Sequence, residues 1–241
     1  VQEHLLQRDT LAAVQDLRLI AAGQIELGLL HESEAVAVQA LEYTDILELN
    51  PATKEAKMAL YNHLGRIYRL LKNYSNSLHY FNKALGLVDN TRDSLLILNN
   101  RALIHSEEQN YERAQTELTT IYQKSTHHKM EITKIARALD NLGFVQGKLD
   151  DPDGLSNMLN ALNTRIQENH KPGIYSSYSH LTEYYRDRNE NQKAYFYAKE
   201  GYKIARSINS AAYIENALTH LLKISKDTVV SEYLRLTDSI A

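Results

Sequence analysis

Large apolar residues recur every three or four positions along nearly the whole chain, the spacing that places residues on one face of an α-helix. The clearest stretch covers residues 58–89 and divides at a tight turn, residues 72–74, into two such segments. The apolar face of the first segment consists of Tyr61, Leu64, Gly65 and Tyr68. The apolar face of the second consists of Ser77, Phe81 and Ala84. This pattern predicts a hairpin of two amphipathic helices.

The sizes of these residues predict how the two helices pack. Gly65 and Ala84 are small enough for two helix backbones to approach closely, and Tyr61, Tyr68 and Phe81 fill the surrounding space. A single hairpin cannot bury its own apolar face, so the pattern requires neighbouring hairpins.

The order Tyr-x2-Leu-Gly-x2-Tyr, followed by Ser-x3-Phe-x2-Ala, resembles the tetratricopeptide repeat. This resemblance implies an all-α fold, a right-handed α-α superhelix of about five repeats with a C-terminal capping segment. It also implies that the first helix of each repeat lines a concave groove.

Repetition of the small residues predicts the other hairpins. The twelve-residue step from Gly65 to Ser77 recurs from Ala102 to Ala114, and Gly143 and Thr182 continue the series. At the N-terminus, Gly23 and Ala35 have the same separation. We therefore predict a single domain over residues 1–241, with units at about 11–49, 56–90, 93–125, 131–169, 173–209 and a partial unit at 211–241.

Composition excludes several classes of function. The 241 residues carry a formal net charge of −3 without a basic cluster, so no nucleic-acid partner is expected. No apolar run approaches the ~18 residues of a membrane span. Cysteine is absent, which excludes thiolate catalysis and cysteine zinc sites. The chain starts at Val1 without a leader-like segment, which predicts a processed or trimmed N-terminus.

No catalytic or metal-binding motif is present in the sequence. The ten histidines form no His-x3-His or His-Glu-x2-His pair, and Gly-x-Ser-x-Gly and glycine-rich phosphate loops are missing. We expect His105 in the core, His127 and His128 in a solvated loop, and a helix cap rather than a calcium loop at residues 150–154. The sequence thus predicts no enzyme, no metal site and no cofactor.

The candidate ligand-binding residues are the non-core positions on the predicted first helices. Asparagine amides can donate to and accept from a peptide backbone, and arginine can hold a carboxylate. The candidates are Asn62, Arg66, Arg69, Asn99, Asn100, Arg137, Asn141, Phe144, Glu183 and Arg186. Asp140 and His180 are expected on the same groove-facing sides of these helices.

A subset of tetratricopeptide proteins holds a partner's C-terminal carboxylates with five residues. Asn100 matches an asparagine of that clamp and Arg137 matches a lysine in charge, whereas Asn62, Arg66 and Asn141 differ. Two matches do not support a chaperone-tail clamp.

The resemblance implies binding without chemistry, so we predict a module for a protein or peptide partner. The long repeats and the segment from Tyr233 to Ile240 resemble sensor regions of bacterial membrane-linked signalling or transcription regulators, which implies an extracytoplasmic location. The alternative is a cytoplasmic regulator resembling tetratricopeptide-type response-regulator phosphatases and signal-peptide receptors.

Overall fold

A computed structural model describes residues 10–48 and 50–224. These residues form eleven α-helices and no β-strand. The helices are α1 (Thr10–Glu26), α2 (Leu30–Asp45), α3 (Pro51–Leu70), α4 (Tyr74–Leu85), α5 (Thr91–Glu107), α6 (Tyr111–His127), α7 (Ile132–Lys148), α8 (Asp153–Gln167), α9 (Lys171–Asp187), α10 (Asn191–Ile208) and α11 (Ala211–Ile224). The predicted all-α architecture of helical hairpins is confirmed.

The chain divides after Glu108 into two compact units. In unit 1, α1 packs against α2 and α3 against α4, and α5 follows. In unit 2, α6 is followed by the hairpins α7–α8 and α9–α10, and α11 packs against α10. The single domain over residues 1–241 stays a prediction. For the partial unit at 211–241, the sequence also predicts a turn at residues 226–228 followed by apolar positions at Tyr233 and Leu236, and these residues lie outside the described part of the chain.

The helix starts follow from local side-chain caps. Asn50 accepts a hydrogen bond from the Thr53 N–H at 3.0 Å, and Pro51 is the first residue of α3, as its position after asparagine predicts. The same arrangement, expected at Asp151 and Pro152, is displaced by one residue. There α8 begins at Asp153, whose N–H donates to the Asp151 side chain at 3.0 Å.

Most of the turns inside and between hairpins contain a residue in the left-handed backbone region. At the end of α3, Lys72 has φ 58°, and the N–H of Asn73 donates to the Tyr68 carbonyl at 2.8 Å. This is a Schellman motif, in which the residue after the left-handed position bonds back to the helix's last turn. Gln109, Lys129, Asp150, Asn169 and Asn189 also have positive φ. The hairpins therefore close tightly without glycine at these positions.

In unit 1, the α3–α4 hairpin packs as its small residues predict. A Cβ added to Gly65 would lie 2.6 Å from carbons of the fully buried Phe81 ring, and the Ser77 hydroxyl donates to the Gly65 carbonyl at 2.7 Å. Only a residue without a side chain permits this approach.

The register predicted for the first hairpin, Gly23 with Ala35, is wrong. Both residues are exposed, and a Cβ on Gly23 would meet nothing within 4 Å. The equivalent pair is Ala21 and Ser33, both fully buried, whose bond from the Ser33 hydroxyl to the Ala21 carbonyl is 2.7 Å long.

A group of three tyrosines packs α3 on α4 and recurs where α9 packs on α10. In unit 1, Tyr68 and Tyr80 stack with ring centres 5.4 Å apart, and Tyr61 lies 6.1 Å from Tyr80. In unit 2, Tyr185 and Tyr197 stack with ring centres 5.4 Å apart, and Tyr178 lies 6.1 Å from Tyr197. Many of the tyrosines thus pack the hairpins.

In unit 2, α7 and α8 approach through three glycines. A Cβ on Gly143 would lie 2.8 Å from the Gly154 carbonyl oxygen, and one on Gly154 would lie 2.6 Å from the Gly147 nitrogen. The helical spacing of Leu155, Leu159 and Leu162 predicts that all three lie in the core, which is only partly right. Leu162 is buried, but Leu159 is 37% exposed, because Gly154 and Met158 occupy the inner face.

Candidate functional site

The predicted site residues of unit 1 lie on α3 and α5, where two of the amides bond to each other. The Asn100 amide donates to the Asn62 side-chain oxygen at 3.0 Å. Asn62 is half-buried, whereas Asn99 and Asn100 are each only 4% exposed. The asparagine side chains that were predicted to bind a peptide therefore also link α3 to α5.

The two predicted site arginines of unit 1, Arg66 and Arg69, lie on α3, close to other titratable groups. Arg69 forms an ion pair with Glu107 of α5. Arg66 lies near the buried His63 and contributes to its low pKa. Burial, with the charge of Arg66, lowers the pKa of His63 to about 4. His63 therefore stays neutral at physiological pH beside the positive charge of Arg66.

Asp140, on α7 of unit 2, is the centre of a buried polar network. Its carboxylate is inaccessible to solvent and lies 2.8 Å from an Arg165 guanidinium nitrogen. The Ser177 hydroxyl donates to the other carboxylate oxygen at 3.0 Å, and Arg165 also donates to the Gly173 carbonyl at 2.9 Å. The sequence-based expectation that Asp140 faces a ligand is therefore wrong, because this ionised group needs the internal partners.

The charged partners of Asp140 control its ionisation. Burial alone would raise the pKa of Asp140, but the nearby charges of Arg165 and His180 outweigh it and lower the pKa to about 2. The His180 Nδ1 atom lies 2.9 Å from the carboxylate. The network fixes α8 and α9 to α7 and orients the His180 ring.

His180 connects this network to a surface formed by α7 and α9. Its ring stacks on Phe144 with ring centres 4.3 Å apart, and the Lys148 ammonium lies 4.9 Å from the centre of the Phe144 ring. His180 and Phe144 are both partly accessible. We call Phe144, Lys148, His180, Glu183, Arg186 and Asp187 the α7–α9 surface.

Two acids and two bases balance the charge of the α7–α9 surface. Lys148 lies 2.6 Å from Asp187 and 3.4 Å from Glu183, and Arg186 lies 3.2 Å from Asp187. Partial burial would raise the pKa of Asp187, but the hydrogen bond from Lys148 outweighs it and lowers the pKa. The α7–α9 surface thus combines a stacked pair of aromatic rings with ionised groups of both signs.

The structure brings two pairs of the predicted site residues together. Asn62 pairs with Asn100, and Glu183 lies 3.9 Å from Arg186. Arg137 is half-buried and Asn141 is 6% exposed, both on α7. Their binding roles stay predictions.

Sequence reasoning missed Lys148, Asp187 and Arg165. Lys148 and its two acidic partners are separated by about one repeat length, 35 and 39 residues. The sequence signal for Lys148 and Asp187 is therefore a pair of opposite charges about one repeat length apart, on the first helices of two successive hairpins.

The described residues contain no group of three or more side chains suited to hold a metal ion. Ser177 is not an activated nucleophile, because its hydroxyl donates to Asp140 instead of to a histidine. None of the described helices combines the length and the apolar character that crossing a membrane requires.

Comparison with known proteins defines the class of the fold. Residues 59–87 match the family model of the tetratricopeptide repeat. No curated protein sequence matches the chain at a significant level. Together with the structures below, this match shows that the chain has a fold of tetratricopeptide-like helical hairpins.

Three solved structures illustrate the similarity. BtubC from P. vanneervenii has 19% identity and a TM-score of 0.58 over 84% of both chains. Aspartyl phosphate phosphatase F from Bacillus subtilis has 13% identity and a TM-score of 0.65, covering 98% of this chain and 63% of that one. A signal-transduction ATPase with numerous domains and a tetratricopeptide-repeat sensor, from Pyrococcus horikoshii, has 14% identity and a TM-score of 0.59, covering 97% of this chain and 38% of that one.

Proposed function

We propose that the chain is a non-enzymatic module that binds a protein or peptide through the exposed faces of its first helices. The α7–α9 surface carries this proposal. Phe144 and His180 form a stacked pair of aromatic rings. The charged groups of both signs beside them can pair with a peptide's side chains or termini.

The contacts within and beneath the α7–α9 surface support a role in recognition. Asp140 and Arg165 are buried beneath His180, and Glu183 and Asp187 hold Lys148 in place. Side chains that are already ordered lose less conformational entropy when a ligand binds. In unit 1, Asn62, Arg66 and Arg69 are the corresponding partly accessible groups, and Asn99 and Asn100 of α5 are largely buried.

We further propose that this module is the sensing region of a bacterial membrane-linked signalling or transcription regulator, facing the extracytoplasmic side. The ATPase of similar fold, whose tetratricopeptide repeats form a sensor, provides an analogy. Such a regulator couples ligand binding by the repeats to an output domain elsewhere in the protein.

The alternative is a cytoplasmic regulator of the response-regulator phosphatase kind. The structural similarity to the Bacillus subtilis phosphatase favours it, since 98% of this chain is covered. At 13% identity that similarity concerns the fold, and it transfers no residue role to this chain.

Site-specific photo-cross-linking tests the binding surface directly, whatever the partner is. A benzophenone amino acid replaces Phe144 on the α7–α9 surface or, as a matched control, the exposed Ile166 of α8. Each full-length variant is irradiated in extract and envelope fractions of the source organism, and cross-linked partners are identified by mass spectrometry.

We expect one partner to cross-link from position 144 and not from position 166. Adding Arg186→Ala should reduce its yield several-fold, since Arg186 lies beside the proposed contact. Cross-links from position 166 alone, or none from position 144, would contradict the proposal. Recovery of the partner from the envelope supports the sensor assignment, and recovery from the cytoplasm supports the alternative.

A further inference from the structure

Helix α10 presents a stripe of exposed residues on the side opposite its buried face. Ala194, Ala198, Gly201 and Ala205 form the buried face. The exposed stripe, which we call the α10 stripe, consists of Gln192, Phe196, Lys199, Lys203 and Arg206. Phe196 is 56% exposed, an unusual position for a phenylalanine.

The spacing within the α10 stripe suits contact with a second helix. Its residues follow one another at steps of four, three, four and three, which is the spacing of a coiled-coil seam. At a rise of 1.5 Å per residue the stripe is about 21 Å long. A partner helix of about four turns could lie along its whole length.

The charge of the α10 stripe defines the partner's chemistry. Three of its five residues are cations, although the chain as a whole has a formal net charge of −3. Lys203 lies 2.5 Å from Glu200, but neither Lys199 nor Arg206 has an ion-pair partner among the described residues. An incoming segment with carboxylates at the same spacing would pair with these cations.

We propose that the α10 stripe docks an acidic amphipathic helix of a protein partner. Carboxylates of that helix pair with Lys199, Lys203 and Arg206, and an aliphatic residue one or two turns away covers Phe196. This contact is separate from the α7–α9 surface and does not depend on the function proposed above.

A protein helix fits the stripe better than an anionic lipid surface does. A helix that lies on a membrane buries a continuous apolar face in the lipid and keeps its cations on the other side. The apolar face of α10 is buried within unit 2, and its exposed side carries Phe196 and Tyr195 at one end only. The cations extend over the remaining length, which complements a row of carboxylates.

The test uses a synthetic probe. It is a fluorescein-labelled 21-residue helical peptide with glutamates and one leucine in a single stripe at alternating steps of three and four. A second peptide of the same composition has its glutamates scattered around the helix. Binding to the full-length chain is measured by fluorescence anisotropy at 50 and 300 mM salt.

Two double variants with the same change in net charge distinguish binding at the α10 stripe from non-specific electrostatic attraction. Lys199→Glu/Arg206→Glu reverses the two cations of the stripe that have no ion-pair partner among the described residues, and Arg92→Glu/Lys124→Glu reverses two exposed cations elsewhere. We expect the stripe variant to bind the striped peptide at least about ten-fold more weakly, a loss equivalent to ~1.4 kcal/mol. The control variant should bind within about two-fold of the natural chain, and Phe196→Ser should weaken binding at both salt concentrations.

Circular dichroism confirms that each variant is folded before binding is compared. Equal weakening in the stripe and control variants, equal binding of the two peptides, or no binding of the striped peptide at 50 mM salt would overturn the proposal. Stripe-dependent binding to phosphatidylglycerol vesicles without peptide binding would also overturn it, in favour of a lipid surface.

Discussion

The guanidinium of Arg165 lies 2.8 Å from the carboxylate of Asp140, and neither side chain is appreciably exposed to solvent. These residues lie on successive helices, α8 and α7, and the Ser177 hydroxyl adds α9 to the same group. A buried charge requires a partner, because its hydration is lost on folding. The pair thus fixes the base of the α7–α9 surface.

Removing one member of the Asp140–Arg165 ion pair should lower the free energy of unfolding more than replacing both with apolar residues. Arg165→Met leaves the Asp140 carboxylate buried without its guanidinium partner, and we expect a loss of about 3–5 kcal/mol in the free energy of unfolding. The double variant Asp140→Leu/Arg165→Met should be clearly more stable than Arg165→Met alone. Urea unfolding followed by circular dichroism measures both, and equal stability of the two variants would contradict this prediction.

Gly65 and Gly23 provide a matched pair of glycine-to-alanine substitutions. At Gly65 the new methyl group would overlap the buried Phe81 ring, so we expect Gly65→Ala to destabilise the protein by about 1–3 kcal/mol. Gly23 lies in the interior of α1, and a methyl group there would meet no other atom within 4 Å. Because alanine favours the helix more than glycine does, Gly23→Ala should stabilise the protein by about 0.5–1 kcal/mol. Thermal unfolding of the two variants reports the sign directly. Destabilisation of equal size at both positions would contradict the register.

The hairpins could be predicted from the sequence because their pattern is local. Tyr61, Leu64, Gly65 and Tyr68 occupy one helix face whatever lies around them. The first hairpin was misaligned because Gly23 with Ala35 and Ala21 with Ser33 are both twelve residues apart. The spacing of small residues does not distinguish these pairs, whereas the hydroxyl of Ser33, bonded to the Ala21 carbonyl, does.

The candidate site could be predicted less completely than the fold. Helical periodicity placed Phe144, Glu183 and Arg186 on first helices, where the structure has them. It could not show that Asp140 points inward to Arg165, because that pairing depends on how α8 crosses α7. Nor could it show that Asn99, Asn100 and Asn141 are largely buried. Polarity alone does not distinguish an internal amide from an exposed one.

His63 should make the stability of unit 1 depend on pH. Its Nε2 atom lies 3.1 Å from the Ser33 hydroxyl oxygen, and burial, with the nearby Arg66, lowers its pKa from 6.5 to about 4. The unfolded chain therefore binds a proton more readily than the folded one. Stability should be full above pH 6.5 and fall as the pH decreases toward 4, by about 3 kcal/mol at most.

Chemical unfolding between pH 7.5 and 4.5 tests this dependence. His63→Gln removes the titrating group and should flatten the curve relative to the natural chain. The exposed His79 provides the control, and His79→Gln should keep the natural pH dependence. An unchanged slope in His63→Gln would assign the effect to other groups.

Lys72 should be a position where glycine increases stability. Its φ of 58° places a lysine in the left-handed region at the end of α3, where residues other than glycine are strained by about 1–2 kcal/mol. Glycine relieves that strain but adds flexibility to the unfolded chain, so we expect Lys72→Gly to gain up to about 1 kcal/mol. Lys57, in the interior of α3, provides the opposite case, and Lys57→Gly should lose at least as much. Thermal unfolding of the two variants measures the difference, and a loss in both would mean that the turn at Lys72 does not need its left-handed conformation.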